Sequence, residues 1–152
     1  MSASHHDSLD QALDAVPQDG GTAVVSDPAG EVRVEVVEVD RLGVRVRGVS
    51  VGHADPIDVV AEADALPTRL RAIPEALVPI EVDPALGGAT IRTEPSDMRR
   101  REFFEVGVTP AQTDVKRFKV SKEGAREAID WTLTREQLER LISQVRPPAS
   151  EE

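Results

Sequence analysis

Histidines, carboxylates, a glycine pair and a basic, aromatic stretch are the residues of this chain whose types could do chemistry. His53 stands in the loop sequence Gly52-His53-Ala54-Asp55, and a His-x-Asp pair can serve as a base and its orienting carboxylate. No partner Ser, Cys or second His stands at a legible spacing, and polar residues are common in loops. His5-His6-Asp7 could hold a stray metal ion, but a metal site needs rigid ligands and outer-shell support. That triplet falls in a stretch that reads as tail. Gly87-Gly88 is followed by Ala89-Thr90, whereas a phosphate loop needs Lys-Ser/Thr there. A dinucleotide glycine fingerprint is missing too. No cofactor and no metal are expected. Two carboxylates suffice for glycosidase chemistry, yet with 28 Asp and Glu the sequence selects none. Glu35, Glu38, Glu62 and Asp64 read as solvated outer faces.

The unusual surface is basic. Arg99-Arg100-Arg101 leads into Phe103, and Lys116, Arg117, Lys119 and Lys122 follow on the next strand. With Phe104, Val106, Phe118 and Val120 facing the core, alternation puts Arg101, Phe103, Arg117 and Lys119 on one outer face. Arg and aromatic residues are enriched at protein contacts. These four are the expected docking patch for an acidic partner protein, or for the acidic half of another copy. The competing reading is an ordinary solvated face with cross-strand pairs such as Glu105 with Lys119. Single-stranded nucleic acid asks for several stacking aromatics in a basic field, and the net charge of −10 opposes it. No nucleic-acid partner is expected.

The elements that must position these residues follow from periodicity. Leu9, Ala12, Leu13 and Val16 have helical spacing over 7–16, ended by Pro17. Thr22–Ser26, Glu31–Val39 and Val44–Val51 alternate as strands, with turns at Asp27–Gly30 and Asp40–Gly43. Each long strand slips phase once, which signals β-bulges and a strongly bent sheet. Ile57–Ala65 fits a helix capped at Asp55, but Val59-Val60 favour a strand, and a strand is expected. Pro67 opens a helical turn or two to Ile73. Leu77–Val82 suits an edge strand, where Pro79 is tolerated. A strand over Ala89–Thr93 and a loop or turn over Glu94–Met98 come next. Strands Glu102–Val108 and Val115–Val120 and one through Ile129, Trp131 and Leu133 complete a meander. Trp131 reads as a core anchor. Thr134 and Gln137 form a capping box, and Leu138, Leu141, Ile142 and Val145 make one apolar stripe that Pro147-Pro148 ends.

A chain of 152 residues supports one core. The expected division is a disordered tail over 1–6, one domain over 7–146 and a tail over 147–152; a two-lobed sheet is the alternative. The expected fold is α+β: a curved, mainly antiparallel, meander-rich sheet of about eight strands, packed against a C-terminal helix and a short N-terminal one. No cysteine is present, which excludes disulfides and thiolate chemistry. No apolar run reaches 18 residues, so no membrane span is expected. The N-terminus lacks the basic and apolar regions of a signal peptide, so cytoplasmic residence is expected. Residues 1–90 carry 6 Lys/Arg against 16 Asp/Glu, and residues 91–152 carry 12 of each. The functional expectation is a non-catalytic protein-interaction module: chaperone-, inhibitor- or adaptor-like, and able to self-associate. The alternative is a half-barrel that binds a small apolar ligand, or does carboxylate chemistry, in the sheet's concave face.

Overall fold

The computed structural model describes residues 5–83, 85, 87–93 and 101–147. The Glu94–Met98 turn, residues 1–4 and residues 148–152 of the expected tails lie outside the described residues. The order is α1 (His5–Asp14), β1 (Gly21–Asp27), β2 (Gly30–Val39), β3 (Gly43–Gly52), α2 (Val59–Arg69), β4 (Leu77–Asp83), β5 (Gly88–Thr93), β6 (Glu102–Val108), β7 (Gln112–Val120), β8 (Arg126–Ile129), β9 (Trp131–Thr134) and α3 (Arg135–Val145). Helix α1 takes in His5 and His6, which the periodicity left in the tail.

The fold is α+β, with nine described strands in one unclosed antiparallel sheet. Cross-strand register draws one inner row through Ala23, Val34, Val49, Val115, Val106, Ile91 and Pro79. All but Pro79 are buried. Leu9 and Leu13 of α1, Val59, Ala63 and Leu66 of α2, and Leu138, Leu141, Ile142 and Val145 of α3 join that row in one core. Each such leucine contributes about 1.5–3 kcal/mol by leaving water. The three helices therefore share the inner face, and none of them covers the outer one.

The bend expected from the two phase slips is present. Register shifts on either side of Val36 leave Val37 and Arg47 unopposed between β2 and β3. A larger departure lies further along. Gly48–Gly52 of β3 pair with Gln112–Lys116 of β7, while Gly43–Val46 pair with β9 and Arg117–Val120 pair with β8. Strands β3 and β7 are antiparallel, and β8 and β9 are each antiparallel to their own partner. The chain therefore runs inward along β7, turns at Asp130 and runs outward along β3. The sheet forks there into an arm β4–β5–β6–β7–β8 and an arm β1–β2–β3–β9. The single strand expected through Ile129, Trp131 and Leu133 becomes two, because alternation persists across a corner that changes partner.

Ile57–Ala65, expected as a strand, instead enters helix α2. The Asp58 carboxylate accepts hydrogen bonds from Val60 N (3.1 Å) and Ala61 N (3.3 Å), closing the helix start. Val59, Ala63 and Leu66 then fall on one buried stripe. A β preference of tenths of a kcal/mol at Val59-Val60 loses to a cap worth about 1 kcal/mol plus that burial. The helix continues through Pro67 to Arg69.

Candidate functional site

The β6–β7–β8 region holds every aromatic residue of the chain: Phe103, Phe104, Phe118 and Trp131 at its junction with β9. Register decides which face each takes. Phe103 lies opposite Phe118, Phe104 opposite Arg117, Glu105 opposite Lys116 and Glu102 opposite Lys119. Directly opposed residues share a face, so two clusters form, one on each side of the sheet.

On the outer face the Phe103 and Phe118 rings stack with centroids 5.7 Å apart. The Arg126 guanidinium lies 4.1 Å from the Phe118 centroid, and that of Arg92 lies 4.7 Å from Phe103. Glu105 ties both cations, at 3.0 Å to Arg126 and 3.2 Å to Arg92. Lys116 continues the row beside Glu105. On the inner face, past the helices, Trp131 meets Phe104 edge-on at 5.3 Å and 87°. Arg117 lies 4.5 Å from the Phe104 centroid and 3.4 Å from Glu102.

The four residues of the expected patch are thus not brought onto one face. Phe103 is outer and only 4 % exposed, because Arg92 and Arg126 cover it. Arg117 and Lys119 share the inner side with Phe104, contrary to the assumed common facing of Phe104 and Phe118. Arg101 is exposed and precedes β6 with φ of 49°, so strand alternation does not set its direction. The Glu105–Lys119 pair is replaced by Glu105–Lys116 and Glu102–Lys119. The missed members are Arg92, Phe118 and Arg126; only the register between successive strands of the meander, which alternation within one strand does not fix, reveals them.

A second polar cluster lies at the helix side. Glu62, expected on a solvated face, is 6 % exposed. Its carboxylate receives Nη1 and Nη2 of Arg69 at 2.9 and 2.7 Å. Arg69 also donates to the carbonyls of Gln144 (2.8 Å) and Val145 (3.3 Å), and Ala72 N donates to Gln144 Oε1 at 2.7 Å. The pair therefore fastens α2 to the end of α3. It borders a cleft of about 550 Å³ that also has His53, Asp55 and Arg146 in its wall.

His53 Nε2 and Thr113 Oγ1 share a hydrogen bond at 2.9 Å. Thr113 is fully buried, so this pair anchors the 53–58 loop to β7 and presents no accessible nucleophile. Burial holds the His53 pKa below its usual value; Arg69 and Arg146 add to this, and Glu62 opposes them. The neutral ring is thus favoured in the folded state. Below about pH 6.5 the unfolded chain takes up a proton that folded His53 resists, so stability falls as the pH drops toward the folded-state pKa. Urea midpoints at pH 7.5 and 5.5 should differ less in His53→Gln than in wild type. An equal difference would show that His53 does not carry this dependence.

The described residues hold no group of three or more His, Cys, Asp or Glu placed to bind a metal ion. No described helix is long and apolar enough to cross a membrane. Compared with known proteins, the chain matches no family model, no curated protein and no solved structure.

Proposed function

We propose that the chain is a non-catalytic protein-interaction module whose docking surface is the outer face of the β6–β7–β8 region. The observation that carries this reading is the Phe103–Phe118 stack held between Arg92 and Arg126. Arginine and aromatic side chains supply most binding hot spots. Here Glu105 and the two rings already fix the guanidinium planes, so a partner orders little on arrival. Guanidinium edges left facing water suit carboxylates, which they can grip in pairs. Residues 99–126 carry eight Lys/Arg against four Asp/Glu in a chain whose net charge is −10. The partner this fits is an acidic protein segment lying across the uncovered sheet. Phe103 of the sequence-derived patch belongs to this surface and Arg101 stands at its edge; Arg117 and Lys119 belong to the opposite side. The reading that places an apolar ligand or carboxylate chemistry in the concave face has less support, because Leu66, Leu70 and Leu138 fill the centre of that face.

A photo-crosslinking residue at Lys116, on the outer face, is compared with one at Lys119, on the inner face, in host cells. The outer position should give a protein adduct. Arg126→Glu should weaken it about 30-fold, the roughly 2 kcal/mol of one hot-spot residue, and salt should weaken it too. Adducts from position 119 alone, or indifference to Arg126→Glu in a folded variant, would sink the reading.

A further inference from the structure

The strand order β1–β2–β3–β7–β6–β5–β4 leaves an open edge at each end. On an open edge alternate residues turn N–H and C=O outward and invite another strand, so proteins guard it with proline, charge or a bulge. Strand β4 has all three. Pro79 stands mid-strand, the register with β5 slips between Pro79 and Glu81, and Glu81 and Asp83 are acidic. The exposed Val78, Ile80 and Val82 therefore sit on a guarded edge. Strand β1 lacks these guards from Gly21 to Ser26. That stretch has no proline and no charge, and its register with β2 runs unbroken from Gly21–Val36 to Asp27–Gly30. Among the described residues β1 pairs with β2 alone, and Val24 on its outer face is 43 % exposed.

We propose that β1 is the interface between two copies of this chain, paired antiparallel about a two-fold axis through Val24. The strand is complementary to itself in that register. Ala23 falls opposite Val25 of the second copy on the inner face, Thr22 falls opposite Ser26 of the second copy on the outer face, and Val24 faces its own counterpart. Small apolar side chains meet small apolar ones and hydroxyls meet hydroxyls, which are favourable cross-strand pairs. Nothing charged stands between Gly21 and Ser26 to recognise a charged segment, so the edge suits an uncharged strand, and β1 of a second copy is one. Symmetry sets the size. Pairing β1 with β1 is isologous and closes at two copies, whereas β1 on β4 would be head-to-tail and open-ended, and the guards on β4 oppose it. One seven-residue strand from each copy is well short of the roughly 20–30 residues a side of a standard interface. The dimer is on that account weak and concentration-dependent. This edge is distinct from the outer face of the β6–β7–β8 region and does not depend on the docking proposed there.

Sedimentation of the full chain over a range of concentrations should show a monomer–dimer equilibrium and nothing larger. Raising the salt from about 0.05 to 0.5 M should tighten it several-fold, because two copies of net charge −10 repel one another. That is the opposite sign to the salt effect on the acidic partner of the outer face. Val24→Glu and Val24→Lys should each weaken the dimer about tenfold or more, by setting like charges directly opposite one another. Mixed in equal amounts, the two variants should associate, since the axis then sets a carboxylate opposite an ammonium; this rescue also shows that both are folded. Ile80→Glu on β4 and Arg126→Glu on the outer face should leave the dimer intact. The proposal fails if the wild type stays monomeric up to about 1 mM, if Val24→Glu dimerises as well as the wild type, or if the mixed variants do not associate. It also fails if Ile80→Glu dissolves the dimer, or if a photo-crosslinking residue at position 24 captures a different protein and never a second copy.

Discussion

Arg69→Met should lower stability by about 3–5 kcal/mol, because it leaves the Glu62 carboxylate buried without its partner. Against a typical total of about 5–15 kcal/mol, that is a loss of roughly 6–20 °C in Tm for a chain of this size. The geometry explains why one cation matters so much. Glu62 is 6 % exposed and takes both of its hydrogen bonds from Arg69, which is also the tie to Gln144 and Val145 at the end of α3. Glu62→Leu combined with Arg69→Met removes the stranded charge and should regain roughly half the loss; the remainder is the two carbonyls that lose their donor. Urea denaturation of the wild type, the two single variants and the double variant forms the cycle. If the double variant is as unstable as the sum of the singles, Glu62 and Arg69 act independently and the bidentate pair is not what fastens α2 to α3.

Gly30→Ala should cost about 3 kcal/mol or more, and for a different reason. Gly30 has φ of 134°, a backbone region closed to side chains. An added Cβ would lie 2.0 Å from the Gly52 carbonyl oxygen. Strain alone costs about 1–3 kcal/mol, and the β1–β2 turn must also move off the end of β3. That turn carries Pro28 and Ala29 of the polar cleft, and Ala29 accepts a hydrogen bond from Ala54 N at 3.1 Å. The disturbance should therefore reach the 53–58 loop as well. Gly107→Ala is the control: nothing lies within 4 Å of its added Cβ, so the change should stay below about 1 kcal/mol. Thermal unfolding of both variants decides. Equal Tm values would mean that the close approach at Gly30 is relieved at little cost.

Where a feature depends on neighbours in the chain, the residues reveal it. The capping box of α3 is one case, with Gln137 N donating to Thr134 Oγ1 at 3.0 Å and Thr134 N donating to Gln137 Oε1 at 2.9 Å. The paired bulges of β2 and β3 are another, since a phase slip is written in the alternation itself. The basic and aromatic character of the 99–126 stretch is equally plain. Its three-dimensional sense is not, because a shift of one position in strand pairing reverses which side chains share a face. Alternation within β6 correctly put Phe104 inside and Phe103 outside. The same logic failed on β7, because Val115 begins its inner phase and Phe118 falls out of it. Glu62 read as a solvated outer-face carboxylate and its pairing with Arg69 stayed hidden, because a strand was expected over Ile57–Ala65 and only a separate helical turn after Pro67. Only the docking of α3 over them withdraws the water. Helix α2 itself was hidden by an ambiguous start, which the Asp58 cap resolves.

The fork in the sheet has a kinetic consequence. Each arm is largely a meander whose strands follow one another closely, so its contacts close over short loops. The seam between the arms joins residues such as Ser50 and Asp114, 64 positions apart, through a 2.6 Å hydrogen bond. Closing so long a loop is entropically costly, and non-local pairing of this kind slows folding. The two halves can organise before they meet, β8 with β7 as a local hairpin and β9 laid beside β3 once the chain has turned at Asp130. The meeting of β3 with β7 is on that account the step expected to limit the rate of folding, at the crotch of the fork.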